Sequence, residues 1–537
     1  MSGRASVAST PASDSKTDLE KAPSSTEHRA HGAGLGSVNV ADGEVVAATG
    51  PFAKITQWCE KVGLETRSLE RVPEDQRDHH MFFWFSVNMS FSCLGTGFLG
   101  ALYFTLDFPT SMAVIWLGTA LGCTVSATTA ILGPRYGLRT MALSRFAGGF
   151  IGTGIFSVLN ALTQIAYAVT AAIVAAQALR AINHGLTLTV GIVVSTVITL
   201  VVCVGGYRIL HYWERYAWIA CFIIYCIILG LGTRGDYDVH ANTATMDTGR
   251  ALTGDVLSFL GIMFSVGSGW TSIAADYNMT LPASTPALPI WIATYFGTWL
   301  PIAFTCSVSA SFAALTKASY ATAFEEESLG GVVGEILKPA GGFGKFLLVI
   351  LCLSVTSANT ANTYSGALCL QSLHPVLMKI PRIFFVILFT AIYLILAIVG
   401  KDNYSRILGD FSAILAYYTA FFSAILFIEI FWFRRKNGSL GPLNADHYAD
   451  YSKLAPGYAC LASILVSIGM AVVSMSEAWF SGPLAKAVAP GAGADLGTFK
   501  LSFSFCAELT SCAFLPTLRF RILLHRIRHH LSHLPNY

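Results

Sequence analysis

Two apolar stretches interrupted by glycine carry the first chemical signal in this chain. Ser92-Cys93-Leu94-Gly95-Thr96-Gly97-Phe98-Leu99-Gly100 lies in the first apolar segment, and Ser265-Val266-Gly267-Ser268-Gly269-Trp270-Thr271-Ser272 lies in the sixth. Glycine inside a helix costs about 1 kcal/mol relative to alanine. In lipid, a broken backbone is tolerated only where protein or a water-filled cavity satisfies it. Paired interruptions in corresponding halves of a chain point to a transport site near the bilayer midplane, where freed N–H and C=O groups meet a solute. The other reading is that small residues let neighbouring helices approach closely. A second signal is the polar run Thr356-Ser357-Ala358-Asn359-Thr360-Ala361-Asn362-Thr363 inside another apolar segment. Such a stripe is costly unless it faces protein or water, and asparagine amides offer a bound solute both donor and acceptor.

The elements that must position these residues are membrane spans. The chain has 537 residues, 54% hydrophobic and 12% charged, with a mean hydropathy of +0.58. A soluble protein carries about 25% charged residues. Apolar runs of about 20 residues are long enough to cross a bilayer, and they recur at 83–104, 111–132, 149–179, 187–206, 216–233, 256–275, 287–315, 346–371, 382–400, 404–433, 457–475 and 498–518. This predicts an all-α integral membrane protein with twelve transmembrane helices.

Charge sets the orientation. With the N-terminus inside, the inner loops hold Arg135, Arg139, Arg145, Arg382, Arg434 and Arg435, while the outer loops hold acids such as Glu325, Glu326 and Glu327. Positive charge sorts to the cytoplasmic side, so both termini are expected in the cytoplasm. Residues 1–80 read as a cytosolic tail, mostly disordered, because the first ~50 are rich in Ser, Ala, Gly and Thr and cannot bury enough apolar surface. Residues 81–435 then form a core of ten helices, 436–518 two accessory helices, and 519–537 a basic cytosolic tail. In that tail His525, His529 and His533 stand at helical spacing. A metal site is one reading and a basic helix facing anionic lipid the other. Eleven of the twelve cysteines fall within spans, and no disulfide framework or CxxC zinc site is visible.

Further motifs lie around these spans. Trp84-Phe85-Ser86-Val87-Asn88 opens the first span. Gly133-Pro134-Arg135-Tyr136-Gly137-Leu138-Arg139, then Ser144-Arg145-Phe146, fill the first inner loop. Gly206-Tyr207-Arg208 and Tyr212-Trp213-Glu214-Arg215-Tyr216 follow span four, and Gly269 to Tyr277 end span six. Together with Asn359 and Asn362, these resemble the first nucleobase–cation symporter family, in its fungal purine–cytosine permease branch. The resemblance implies a LeuT-type five-plus-five inverted repeat with discontinuous helices 1 and 6, rocking around a midplane site.

The resemblance also implies site residues. Trp270 stands where the family places a stacking aromatic, with Gly269 beside it leaving the backbone open. Tyr167 replaces a span-three tryptophan, and Ala171 stands where a polar residue is expected. Gln164, one turn before Tyr167, either compensates or ties helices together. Asn362 matches an edge-binding position, Asn359 lies one turn earlier, and Ser92 is a further contact near the first break. A planar base needs flat apolar faces and edge-on hydrogen-bond partners. Thr356 and Ser357 match the hydroxyl positions of a sodium site in sodium-coupled relatives, although the fungal branch is generally proton-coupled. Of the carboxylates near membrane depth, Asp276 reads as a cap or a partner of Arg135 or Arg139, and Glu429 as a partner of Arg434; Asp410 and Glu508 have no assigned role.

The expected function is a plasma-membrane symporter that imports a purine- or cytosine-like base, with a proton favoured over sodium as the coupling cation. A vitamin-like or allantoin-like heteroaromatic is the alternative substrate, and a non-transporting sensor of the same fold the alternative role. The expected partners are the small molecule, the cation and the lipid bilayer. Neither a nucleic acid nor a cofactor is expected, nor is a metal. No HExxH, GxSxG or paired carboxylates in register suggest an enzyme.

Overall fold

A chain that crosses lipid must satisfy each backbone group within its own segment, and this one does so almost wholly with helices. The computed structural model describes residues 69–77 and 88–498, except 206, 235, 375, 436, 437, 439, 451, 478 and 492, and at 205–215 it describes no side chains. The expectations for the first 68 residues, the opening of span one, the twelfth span beyond 498 and the basic tail lie outside the described residues.

Besides a short helix at Leu132–Tyr136, the helices are α1 (Leu94–Tyr103), α2 (Phe108–Ala130), α3 (Thr140–Ile182), α4 (Leu188–Gly205), α5 (Tyr207–Gly232), α6 (Gly249–Ser268) and α7 (Ala274–Asn278). They continue as α8 (Ala287–Ala310), α9 (Ala318–Leu337), α10 (Gly341–Ser372), α11 (Arg382–Gly400), α12 (Tyr404–Phe427), α13 (Tyr458–Ser474) and α14 (Pro483–Val488). Among the described residues six helical stretches are long and apolar enough to cross a membrane, with four shorter apolar helices beside them. Local signals set several ends. Asp107 caps α2 by accepting from the Thr110 N–H at 3.0 Å, with proline in the first turn. In α3 the chain turns at Gly149, whose φ of 59° separates a short first piece from the long second piece.

The most extensive helix pairing is α10 on α3, followed by α2 on α6. Glycines make the second pairing possible. A Cβ on Gly267 would stand 2.8 Å from the Cys123 nitrogen, and one on Gly122 would collide with the Phe264 carbonyl. Gly97 meets the Cys306 backbone of α8 in the same way.

This relocates the first interruption. Gly95, Gly97 and Gly100 sit inside regular α1, and the break lies just before them. There Ser90 is extended (φ −69°, ψ 149°) and Phe91–Cys93 form a 3-10 turn. In the sixth span α6 ends at Ser268, Gly269–Ser272 form a 3-10 turn, and Ile273 (φ −134°, ψ −4°) precedes α7. Glycine serves close packing in both spans: Gly269 is itself helical (φ −57°, ψ −27°), and an added Cβ there would stand 2.8 Å from the Tyr167 hydroxyl.

A second difference concerns the cytosolic tail. Residues 69–77 dock on the first inner loop, with Leu69 and Val72 buried. The Val72 N–H donates to the Gly137 carbonyl at 2.9 Å and Arg77 Nη1 to the Pro134 carbonyl at 2.7 Å. Two buried aliphatic side chains and these hydrogen bonds hold this end of the tail against the 133–139 loop.

Between α13 and residue 498 a small antiparallel hairpin, Ser476–Glu477 with Phe480–Ser481, leads into α14. It is anchored on α12 through Tyr417, whose hydroxyl lies 2.6 Å from Asp495 Oδ2 and 3.1 Å from Glu477 Oε1. A phenol has one proton to donate, so both contacts are hydrogen bonds only while a carboxyl carries a proton of its own. Burial, with Asp495 nearby, pushes Glu477 up to about 8, and burial pushes Asp495 up to about 6. Acids with raised values bind protons more tightly in the docked state, so docking is strongest in acid and weakens as pH rises through about 6 to about 8. Hydrogen exchange, corrected for its intrinsic pH dependence, is therefore expected to show the 476–497 segment less protected at about pH 9 than at about pH 5. Glu477→Gln should flatten that dependence. Equal protection at both values would refute the anchoring role.

Candidate functional site

The two breaks face one another across α3, α10 and α12. Between them lies a cavity lined by Asn88, Ser92, Cys93, Thr96, Gln164, Tyr167, Thr170, Val266, Gly269, Trp270, Ile273, Ile302, Ala358, Asn362 and Leu408. Its volume is about 70 Å³, small beside the roughly 300–1,000 Å³ of ordinary ligand pockets. A larger groove of about 600 Å³ on α3 is lined by apolar residues such as Phe150 and Leu159, with His374 its one titratable group. It lacks the converging polar groups of a solute site.

Each wall follows from local structure. Freed N–H groups at the first break find partners: the Phe91 N–H donates to Ser354 Oγ of α10 at 3.1 Å, and Ser90 Oγ accepts from the Ser92 N–H at 3.3 Å. At the second break Trp270 lies in the 3-10 turn, half-buried, with its ring 6.2 Å from that of Tyr277 and near edge-on at 68°. Tyr167 packs edge-to-face on Phe411 at 5.4 Å. Its hydroxyl comes so close to Gly269 that an added Cβ there would stand 2.8 Å from it. Asn362 extends from α10, and its amide makes no hydrogen bond to another described residue.

Of the residues expected from sequence, Ser92, Gln164, Tyr167, Gly269, Trp270 and Asn362 share this cavity. Asn359 does not line it. Asn359 is 2% exposed within α10, and its Oδ1 has no partner among the described residues. Thr356 and Ser357 are likewise buried away from the lining, and Ser357 Oγ has no partner. Ala171, the position expected to face the substrate, is 1% exposed and does not line the cavity; Thr170 does. The Thr170 hydroxyl lies 3.0 Å from the Ala166 carbonyl and 3.1 Å from the Tyr167 carbonyl, within the helix. Sequence reading missed Asn88, Thr96, Thr170 and, behind the wall, Asn160. The stripe Asn160, Gln164, Tyr167, Thr170 at helical i, i+4, i+7, i+10 spacing was the available signal.

The end of the bundle that carries the 133–139 loop is held together by charge. Asp276 Oδ1 accepts from the Thr140 N–H at 2.7 Å and from its hydroxyl at 3.0 Å, at the start of α3. Arg139, 1% exposed, lies 3.8 Å from Asp276 Oδ2 and donates to the Tyr364 hydroxyl at 3.0 Å. Asp276 is thus both helix cap and ion-pair partner, tying the end of the sixth span to the first inner loop and α10. Glu429 pairs with Arg434 at 2.7 Å and Asp410 with Arg406 at 3.7 Å. Glu508 lies outside the described residues.

Known proteins match both the sequence and this architecture. A family described as permeases for cytosine/purines, uracil, thiamine and allantoin matches residues 71–488. The purine-cytosine permease fcyB of Emericella nidulans is 32% identical, over 92% of this chain and 96% of its own. The vitamin B6 transporter TPN1 of Saccharomyces cerevisiae is 27% identical, over 81% and 84%. Among solved structures, Mhp1, a nucleobase-cation-symport-1 family transporter in a closed conformation, superposes with a TM-score of 0.62. It is 14% identical, with 84% of this chain and 95% of Mhp1 covered. That likeness establishes an all-α membrane-transporter fold. Sequence identity and the family match together establish that the chain belongs to the cytosine/purine, uracil, thiamine and allantoin permeases, in the fungal purine–cytosine branch of the first nucleobase–cation symporter family.

Proposed function

We propose that the protein imports purine- or cytosine-like bases across the plasma membrane by alternating access, driven by a cation gradient and with the proton as coupling ion. The reading includes twelve spans with both termini cytoplasmic, and an inverted repeat of spans 1–5 and 6–10 that places the two breaks together. One observation carries it: a cavity between two helix breaks that presents two aromatic rings, Trp270 and Tyr167, and the uncommitted amide of Asn362. Rings match the faces of a planar base and the amide matches its edge. Thr356 and Ser357, near the first break that Ser354 holds, are the oxygen donors that a sodium ion would use if uptake proved sodium-dependent.

A vitamin-like or allantoin-like heteroaromatic is the second reading. It is favoured by Tyr167 in place of tryptophan and by Ala171 turned away from the cavity, and a vitamin B6 transporter stands among the relatives. The test is uptake of radiolabelled heterocycles in cells lacking their own permeases, repeated across pH and sodium concentration. Saturable uptake of a purine or cytosine is expected, rising as pH falls and insensitive to sodium. Uptake confined to a vitamin or to allantoin would establish the second reading. A protein at the surface that takes up no heterocycle would be a sensor.

A further inference from the structure

One polar group in the cavity wall is left without a partner. Gln164 is 1% exposed and lines the cavity, yet its Oε1 accepts no hydrogen bond among the described residues. Buried acceptors in native proteins are overwhelmingly paired, and one that is not calls for an explanation. Neighbouring groups do not supply a donor. The Thr170 hydroxyl is held by carbonyls of its own helix, and the Tyr167 hydroxyl points toward Gly269.

The other end of the same amide is tied down. Gln164 Nε2 donates to Asn160 Oδ1 at 3.3 Å, and that oxygen also accepts from the Ser272 hydroxyl at 2.6 Å. Asn160 Nδ2 in turn reaches Cys369 Sγ of α10 at 3.0 Å. The 2.6 Å separation falls in the range of O–H···O bonds and below the usual N–H···O distance, which places the Asn160 oxygen, not its nitrogen, toward Ser272. With Asn160 so oriented, Gln164 must give its nitrogen to Asn160, which leaves its oxygen, on a residue that lines the cavity, without a donor among the described residues. Ser272 closes the 3-10 turn that carries Trp270. The ring-bearing break and the Gln164 acceptor are therefore parts of one hydrogen-bonded chain.

We infer that Gln164 Oε1 is the specificity-determining acceptor of this cavity, requiring the substrate to present an N–H donor toward α3, with Asn160 and Ser272 as the positioning residues that hold the amide this way round. The inference rests on the reading that the cavity binds a planar heterocycle. It narrows the substrate class to heterocycles with a ring N–H or exocyclic amine on that edge. N-methylated or carbonyl counterparts would set a methyl group or a second acceptor against Oε1. It also accounts for Ala171: edge recognition on α3 passes to Gln164, one turn to the other side of Tyr167.

The experiment is uptake competition by matched pairs, each a base and its N-methyl counterpart, in wild type and variants quantified at the surface. Wild type is expected to prefer the N–H member of at least one pair by about ten- to a hundredfold, the span associated with a site left with an unmet polar group. Gln164→Met, similar in shape but without the acceptor, should bring that ratio to within about threefold of unity, while Gln164→Glu, which keeps an acceptor, should retain the preference. Ser272→Ala should lower the ratio and Ser272→Thr, which keeps the hydroxyl, should restore it, a rescue that a purely structural role would not give. The same ratios are read on purified protein as ligand-induced thermal stabilisation, which needs no turnover and covers any variant that transports poorly. An unchanged ratio in Gln164→Met overturns the inference while leaving nucleobase transport intact. Wild type that neither takes up nor is stabilised by any heterocycle overturns both.

Discussion

Trp270→Ala is expected to remove most uptake, with protein still reaching the surface. Trp270 is half-buried at the sixth-span break and supplies the broadest flat surface in the cavity. Loss of an aromatic contact costs on the order of 1 kcal/mol beyond area burial, and the lost apolar wall adds about 25 cal/mol for each Å² that the ligand no longer covers. Together these amount to a ten- to hundredfold or greater loss of affinity. Part of the ring also packs on Ala130, Ala274, Ala358 and Ala361, so thermal stability must be measured beside uptake. Trp270→Phe keeps a stacking face and should lie between wild type and alanine. Near-normal uptake by both variants would show that the ring serves packing only.

Asn362→Ala should raise KM strongly, whereas Asn359→Ala should act mainly on stability. The two asparagines are one turn apart on α10, but only Asn362 lines the cavity; Asn359 is enclosed by helices. A polar partner lost on one side of a buried hydrogen bond costs about 1–3 kcal/mol, roughly ten- to a hundredfold in affinity. Asn362→Gln keeps the amide and should lose less, limited by how well the longer side chain fits. Uptake kinetics and a melting curve on each variant separate the two outcomes. Should Asn359→Ala raise KM while Asn362→Ala leaves it unchanged, the proposed helix face is wrong.

Apolar spans, the family and an aromatic ring at the sixth-span break were legible in the chain itself. Lipid offers no hydrogen bonds, so each span must be a locally satisfied helix whose length and polarity show in consecutive residues. Trp270 was legible because it follows a glycine motif that is itself local. The function of individual glycines was not. Gly95 and Gly97 look like a break, yet they are helical because Gly97 lies against the backbone of α8, more than 200 positions away in the chain. The docking of residues 69–77 on the 133–139 loop was not legible either, because it depends on Leu69 and Val72 meeting a surface more than 60 positions away.

Which face of each helix looks into the cavity was decided only by tertiary structure. A turn of about 100° per residue separates Thr170 from Ala171, and the packing of α3 against α10 sends the first to the cavity and the second away. The same packing brings Asn160, Ser272 and Cys369 together from three distant segments, and so holds the Gln164 nitrogen and leaves its oxygen without a donor among the described residues. Sequence determined that polar groups would lie at membrane depth, because their burial is costly and therefore conspicuous. Structure decided which of them bond to each other and which await a ligand, because that depends on contacts between residues that no local spacing relates.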